Sequence, residues 1–349
     1  MRSNWLLEIT VLSLGLAGMC RAQAPDTAAA TVVRPSPPAN FIKPATRPHL
    51  AAAQQAAGKE FLSALILCNL ALPEGQKLQV PTAAELRAAG GVAGMPPAPA
   101  RVFDNFYYLG LRQVSAWAVD TPDGIILIDA LNNQGDIEQA VEGGLRKLDL
   151  DPARIKYILI THGHPDHYGG AQYLVDKYHA RVLMSEVDWT LAAAFSGQPS
   201  PQNFGPAPKR DLVAVDGQKF TLGGETLTLV LTPGHTPGTI SVLIPVTDRG
   251  RRHVVALWGG TGFNFQPSEA RFQQYYDSAM RFRSLAVAAG ADVVISNHPE
   301  NDNSIRLNDA VAHRGASDPH PYVVGKSVVQ RFFTAFGECA QTFKSQMAP

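Results

Sequence analysis

Within the 349 residues of the chain, the six from His162 to His167 read HGHPDH and set three imidazoles and one carboxylate in about one turn of backbone. Imidazole and carboxylate groups are costly to bury unless something pairs with them. Four of them this close cannot each find a separate partner in a core, so a divalent cation is the natural compensation. Histidine nitrogen mixed with carboxylate oxygen is a donor set that suits zinc. The run follows Tyr157 to Ile160, a short apolar stretch that reads as a buried strand. The histidines therefore fall just past a strand end, in a loop held by a rigid scaffold, where sites are commonly built.

Charge excludes one class of function. Thirty basic residues balance thirty acidic ones with no long run of either sign, so electrostatic capture of nucleic acid is not indicated. A hydrophobic content of 45% allows a full core in one large domain or two. Residues 1–24 have the form of a secretory signal: Arg2 at the start, an apolar run from Val11 to Met19, and the small-residue pattern Ala22-Gln23-Ala24 before the cut. Glu8 and Pro25 depart from that form. The run is too short to span a bilayer comfortably, and no later segment is long and apolar enough to do so. The expectation is an exported chain, periplasmic or secreted, with no membrane span in its mature form. Export would leave Cys68 and Cys339. These either pair, tying the N-terminal extension to the last helix, or remain two buried thiols.

Residues 25–100 read as a leader and helical appendage, and residues 101–349 as the main domain. Residues 25–50 are rich in Pro, Ala and Thr; helical character runs from Ala51 to Leu72; Thr82 with Glu85 makes a capping box; and Gly90 to Pro99 is a linker. From Arg101 onward strands dominate, with Asp123-Gly124 as hairpin chemistry leading into Ile125 to Ile128, which ends at Asp129. Helices are expected over Asp136 to Leu148, Ala171 to Tyr178, Pro267 to Ala289 and Ser327 to Lys344, alternating with strands. That mixture makes a layered α/β protein in which two meander-like sets of strands stack as two sheets.

Two further histidines share the strand-end context. His235 lies in the turn Thr232-Pro233-Gly234-His235-Thr236-Pro237-Gly238, and His298 follows the expected strand Val293 to Ser296. Together with the first run they make five histidines and one aspartate. That is enough for two zinc ions with three protein ligands each and an open position for water, the arrangement of a catalytic site. His179, His253, His313 and His320 read as surface residues, and no serine has the setting of a nucleophile.

The HxHxDH run, the TPGHTPG turn and the late strand-end histidine resemble the metallo-β-lactamase superfamily from about Arg101 to the end of the chain. The resemblance implies an αββα four-layer sandwich with the metals at one edge. It also implies one zinc on His162, His164 and His235, and a second on Asp166, His167 and His298. Asp129 matches a carboxylate that orients a ligand histidine. One departure is informative: most hydrolytic members carry a bridging aspartate in a Gly-Asp pair, and here Gly260 stands in its place. In that respect the chain is similar to the third subclass of zinc-dependent β-lactamases. The function implied is hydrolysis of the β-lactam ring amide by a zinc-bound hydroxide, with Asp166 as both ligand and the acceptor that orients the hydroxide. Thr261 and the loop from Phe195 to Pro208 would line the cleft for a small-molecule substrate. The same scaffold acting on a lactone, thioester or phosphodiester is the alternative, and a non-catalytic metal protein a third.

Overall fold

The computed structural model describes residues 41–82, 84–85, 97–196 and 203–348, all of which fall in the unit Val32–Pro349. The expected signal, the first part of the leader, most of the linker and residues 197–202 of the cleft loop lie outside the described residues.

Strand β4 (Gly124–Ile128) shows how the layers arise. All five of its residues are buried, and successive side chains point to opposite faces of a strand. Ile125 and Leu127 pack against helices with Ile158, Leu145 and Leu174. Ile126 and Ile128 pack between the sheets with Leu159, Leu229, Val242 and Leu257. A strand covered on both sides must be apolar throughout, which is why the sequence reads GIILI rather than alternating.

The first sheet has seven strands in the order β1 (Ala100–Phe103), β2 (Phe106–Tyr108), β3 (Trp117–Thr121), β4, β5 (Ile155–Leu159), β6 (Arg181–Ser185) and β7 (Leu212–Ala214). It is antiparallel up to β4 and parallel from β4 to β7. The second sheet has five strands in the order β12 (Val293–Ser296), β11 (Arg251–Trp258), β10 (Ile240–Asp248), β9 (Glu225–Leu231) and β8 (Lys219–Leu222). The hairpin expected at Asp123-Gly124 forms, pairing Thr121 with Gly124 at a glycine φ of 137°.

In chain order the helices are α1 (Arg47–Ala57), α2 (Leu62–Leu70), α3 (residues 134–147, with a π-helical middle), α4 (Pro165–Tyr168), α5 (Ala171–Tyr178), α6 (Glu186–Phe195), α7 (Glu269–Ala288), α8 (Pro299–Asp302), α9 (Ser304–Ala312) and α10 (Lys326–Met347). α3 and α5 cover the first sheet. α1, α2, α7 and α10 cover the second, through one core that includes Ala53, Phe61, Phe272, Phe282, Phe332 and Phe336. Helices therefore lie outside two mixed sheets, the αββα sandwich.

The structure refines three expectations. The helical stretch from Ala51 to Leu72 is two helices, because Gly58 adopts φ +55° and turns the chain. The segment expected to be an appendage contributes α1 and α2 to the outer helical layer, where Cys68 and Cys339 stand at disulfide distance with Cα atoms 4.7 Å apart. Helices α6, α8 and α9 carry no signal in the sequence strong enough to expect them. The last two are short helices after His298, started by Pro299 at the first helical position and by Asn303 in the left-handed region. The capping box is present, with Glu85 N–H donating to Thr82 Oγ1 at 3.1 Å and Thr82 N–H to Glu85 Oε2 at 2.7 Å.

Candidate metal centre

Parallel pairing puts the C-terminal ends of β4 and β5 side by side. β9 and β11 each run antiparallel to β10, and β12 is parallel to β11, so the ends of β9, β11 and β12 also share an edge. Asp129 follows β4, His162 to His167 follow β5, His235 follows β9, Gly259 to Gly262 follow β11 and His298 follows β12. The two edges are joined directly: Ile240 N–H donates to Thr161 O at 2.7 Å, and Ser115 N–H to Asn297 O at 2.8 Å. All six ligand candidates thereby converge.

They converge as two trios, His162 with His164 and His235, and Asp166 with His167 and His298, the ligand atoms of each within 4.8 Å of one another. In the first trio His235 Nε2 is 3.0 Å from His162 Nε2 and 3.1 Å from His164 Nδ1. In the second, Asp166 Oδ2 is 3.4 Å from His167 Nε2 and 3.9 Å from His298 Nε2.

The proton positions follow from what backs each ring. A carbonyl oxygen only accepts, so His162 Nδ1, 2.8 Å from Gly259 O, and His235 Nδ1, 2.8 Å from Gly262 O, carry hydrogens. In the neutral rings both Nε2 atoms then present lone pairs to each other at 3.0 Å, which repel unless a cation lies between them. His298 Nδ1 is backed likewise by Gln113 O. In the second trio, His167 Nδ1 meets Asp129 Oδ2 at 2.8 Å, while its buried Nε2 has no hydrogen-bond partner. Free lone pairs converging from backed imidazoles, with one orphaned buried nitrogen, fit a bound divalent metal.

Electrostatics separate the trios. Burial, reinforced by the neighbouring imidazoles, holds His162 and His235 well below the ordinary histidine range. Burial brings His164 down to about 4, against the pull of Asp166. Burial would lower His167 too, but Asp166 and Asp129 overcome it and push it up to about 10. Asp166 shows the reverse: burial alone would raise its carboxyl, and His167 with His298 and His164 holds it far below the usual carboxylate range.

Asp129 has a φ of 62°, an uncommon backbone for a residue other than glycine and one that concentrates at functional sites. Its carboxylate accepts from Thr161 N–H at 2.8 Å and Thr161 Oγ1 at 2.8 Å as well as facing His167. Thr161 and Asn297 join the site without having been expected from the sequence. Asn297 Nδ2 donates to Gly259 O at 2.7 Å and to Thr161 Oγ1 at 3.0 Å. It thus braces the carbonyl behind His162 against the residue that braces Asp129. Their positions next to His162 and His298 are the one sequence signal that points to them. Thr261 is 2% exposed; its Oγ1 accepts from Asn301 Nδ2 at 2.8 Å, so its hydroxyl braces the start of α8. Phe195, at the start of the expected cleft loop, has its ring 5.8 Å from that of His164. Of the four histidines expected at the surface, His253 and His320 are in fact buried, at 8% and 7% exposure. Each bonds away from the site, His253 to Asp292 and His320 to Val102 O.

Residues 109–249 match the family profile of the metallo-beta-lactamase superfamily. An uncharacterized protein of Bacillus subtilis, YobT, is 30% identical over 150 residues, covering 41% of this chain and 61% of that protein. A hydroxyacylglutathione hydrolase of Acidiphilium cryptum is 28% identical over 140 residues, covering 40% and 44%. The chain thus spans less than two thirds of the length of these curated relatives. Among solved structures, BJP-1, a subclass B3 metallo-beta-lactamase of Bradyrhizobium japonicum, superposes with a TM-score of 0.57 at 27% identity, covering 68% of this chain and 90% of that one. The fold, the two ligand trios and these likenesses together make the chain similar to the metallo-β-lactamase superfamily and, among solved structures, to its subclass B3.

Proposed function

We propose that the chain is a zinc-dependent hydrolase that opens the amide of a β-lactam ring. Gly260 carries this reading. A Cβ at that position would stand 2.6 Å from the Cβ of His235 and 2.8 Å from its ring, well inside van der Waals contact. The backbone leaves no room there for the bridging aspartate of other hydrolytic members, and the similarity to subclass B3 points the same way.

Two zinc ions, when bound, would supply Lewis acidity and lower the pKa of bound water to about 7. The chain's own residues then have separate tasks. His162, His164 and His235 hold the first ion with neutral donors, and Asp166, His167 and His298 the second. Asp166, kept ionised by its histidine neighbours and with its side chain 30% exposed, accepts a hydrogen bond from the attacking water and orients it. Asp129 holds the tautomer and the plane of His167. The leaving amide nitrogen takes its proton from solvent.

The relatives that bear the name hydroxyacylglutathione hydrolase favour a second reading, hydrolysis of a thioester. A panel of a chromogenic cephalosporin, an acyl-glutathione thioester and a lactone separates the two. Cephalosporin turnover abolished by a chelator is expected; turnover of the thioester with none of the cephalosporin would put the second reading in place of the first.

We also infer that the chain is exported and that Cys68 and Cys339 are oxidised to a disulfide, supported by their 4.7 Å Cα separation. Among the described residues no helix is long and apolar enough to cross a membrane. Titration of denatured, unreduced protein should find neither Cys68 nor Cys339 free; two free thiols would remove the bond.

A further inference from the structure

Asp188, in the first turn of α6, is fully buried and forms no ion pair within the described residues. Its carboxylate instead takes three hydrogen bonds, all from the two loops that carry the three-histidine trio. Oδ2 accepts from Gly163 N–H at 2.9 Å, between His162 and His164, and from Thr236 Oγ1 at 2.6 Å, next to His235. Oδ1 accepts from Gly238 N–H at 3.0 Å. The helix start is itself fixed, with Asp188 N–H donating to the Ser185 hydroxyl at 3.3 Å.

This seat accounts for the two glycines. A Cβ at Gly163 would stand 2.7 Å from Asp188 O, and one at Gly238 would stand 2.7 Å from Asp188 Oδ1 and collide with the Ser185 hydroxyl. Side chains at either place would push α6 away and break the carboxylate's contacts. The second trio makes no contact of this kind with Asp188; it is braced by Asp129. Arg271 Nη2 also donates to His235 O at 3.0 Å, so the His235 turn is held by both a buried carboxylate and a half-buried guanidinium.

We infer that Asp188 is the positioning residue of the three-histidine site, pinning the HGH loop and the His235 turn to one carboxylate so that their nitrogens converge before a metal arrives. The inference rests on the metal-binding part of the reading above and not on the substrate. Outer contacts of metal ligands are typically worth about 10- to 100-fold in affinity.

The test measures zinc affinity of the full chain, stripped of metal, by competition with a chromophoric chelator in two single-site backgrounds. His298→Ala retains the three-histidine trio and His235→Ala retains the other. Asp188→Asn should weaken zinc binding about 10- to 100-fold in the first background and less than about threefold in the second. In the metal-free protein, hydrogen exchange at Gly163 and Gly238 should speed up while the β4 and β12 amides stay protected. Equal losses in both backgrounds, or none in the first, would overturn the assignment. Should Asp188→Asn not fold, Thr236→Val removes one of the three donors. It should cost about fivefold in the first background alone, the worth of one such bond, and an unchanged affinity there overturns the inference equally. If neither background binds zinc before Asp188 is touched, the metal reading itself is what fails.

Discussion

His162 and His235 reach the metal centre backed by main-chain carbonyls, whereas His167 reaches it backed by one carboxylate and beside another. The difference in backing sets the charge each half presents. The three-histidine half is a neutral donor set in which burial keeps the imidazoles unprotonated. The Asp166–His167–His298 half holds a carboxylate ligand with Asp129 directly behind it, so without a metal it favours a proton on His167. One half is ready for a cation by geometry, the other by charge.

The largest effect expected from breaking this contrast is at Asp166. Asp166→Asn keeps the shape but removes the charge that, in the proposed function, would bind the second ion and orient the water. Turnover should fall on the order of 10²-fold or more, checked by steady-state kinetics with zinc in excess; near-normal turnover would refute the role. Asp129→Asn comes next. It should weaken zinc about 10- to 100-fold at the second half while sparing the first, measured by stepwise competition titration. Gly260→Ala presses on His235 and should disturb the first half, at a cost of about 1–3 kcal/mol as overpacking, read from the melting of metal-loaded protein. An unshifted melting curve would show that the turn yields.

The gentlest probe is pH in the metal-free protein, where the halves should have opposite signs. His164 has its folded pKa lowered to about 4. Its contribution is present above the unfolded value of about 6.5 and is lost as pH falls towards 4. His167 has its folded pKa raised to about 10, so its contribution is present below about 6.5 and is lost as pH rises through 10. Relative to the parent, His164→Ala should therefore lack the fall in stability between about pH 6.5 and 4, and His167→Ala the fall between about pH 6.5 and 10. The same slope in both would erase the distinction.

The ligands are legible in the sequence because their chemistry is dense and local. Three histidines and an aspartate within six residues are hard to satisfy without a cation, and His235 and His298 repeat the strand-end setting. β4 is legible for the same local reason, an unbroken apolar run closed by a turn. Asp188 is not: it lies 22 residues past Asp166 in a helix the sequence does not announce, and its value depends on backbone amides of two distant loops. Helices α8 and α9 escape a sequence reading because they are polar and short; α8 packs against β12 of the second sheet and α9 against β1 of the first. The N-terminal helices read as separate because a Gly/Pro-rich stretch follows them, a pattern that says nothing about where the helices dock.

The sequence alone determined which side chains can hold metal, that they would sit past strand ends, and that the strands would stack under helices. Those properties reside in residue types and short-range periodicity. Tertiary structure decided the rest: that the six ligands divide into a neutral trio and a charged one, that position 260 has no space for a carboxylate, and that α1 and α2 belong to the helical layer. Each depends on distances between segments far apart along the chain, and only the packed sheets bring those segments together.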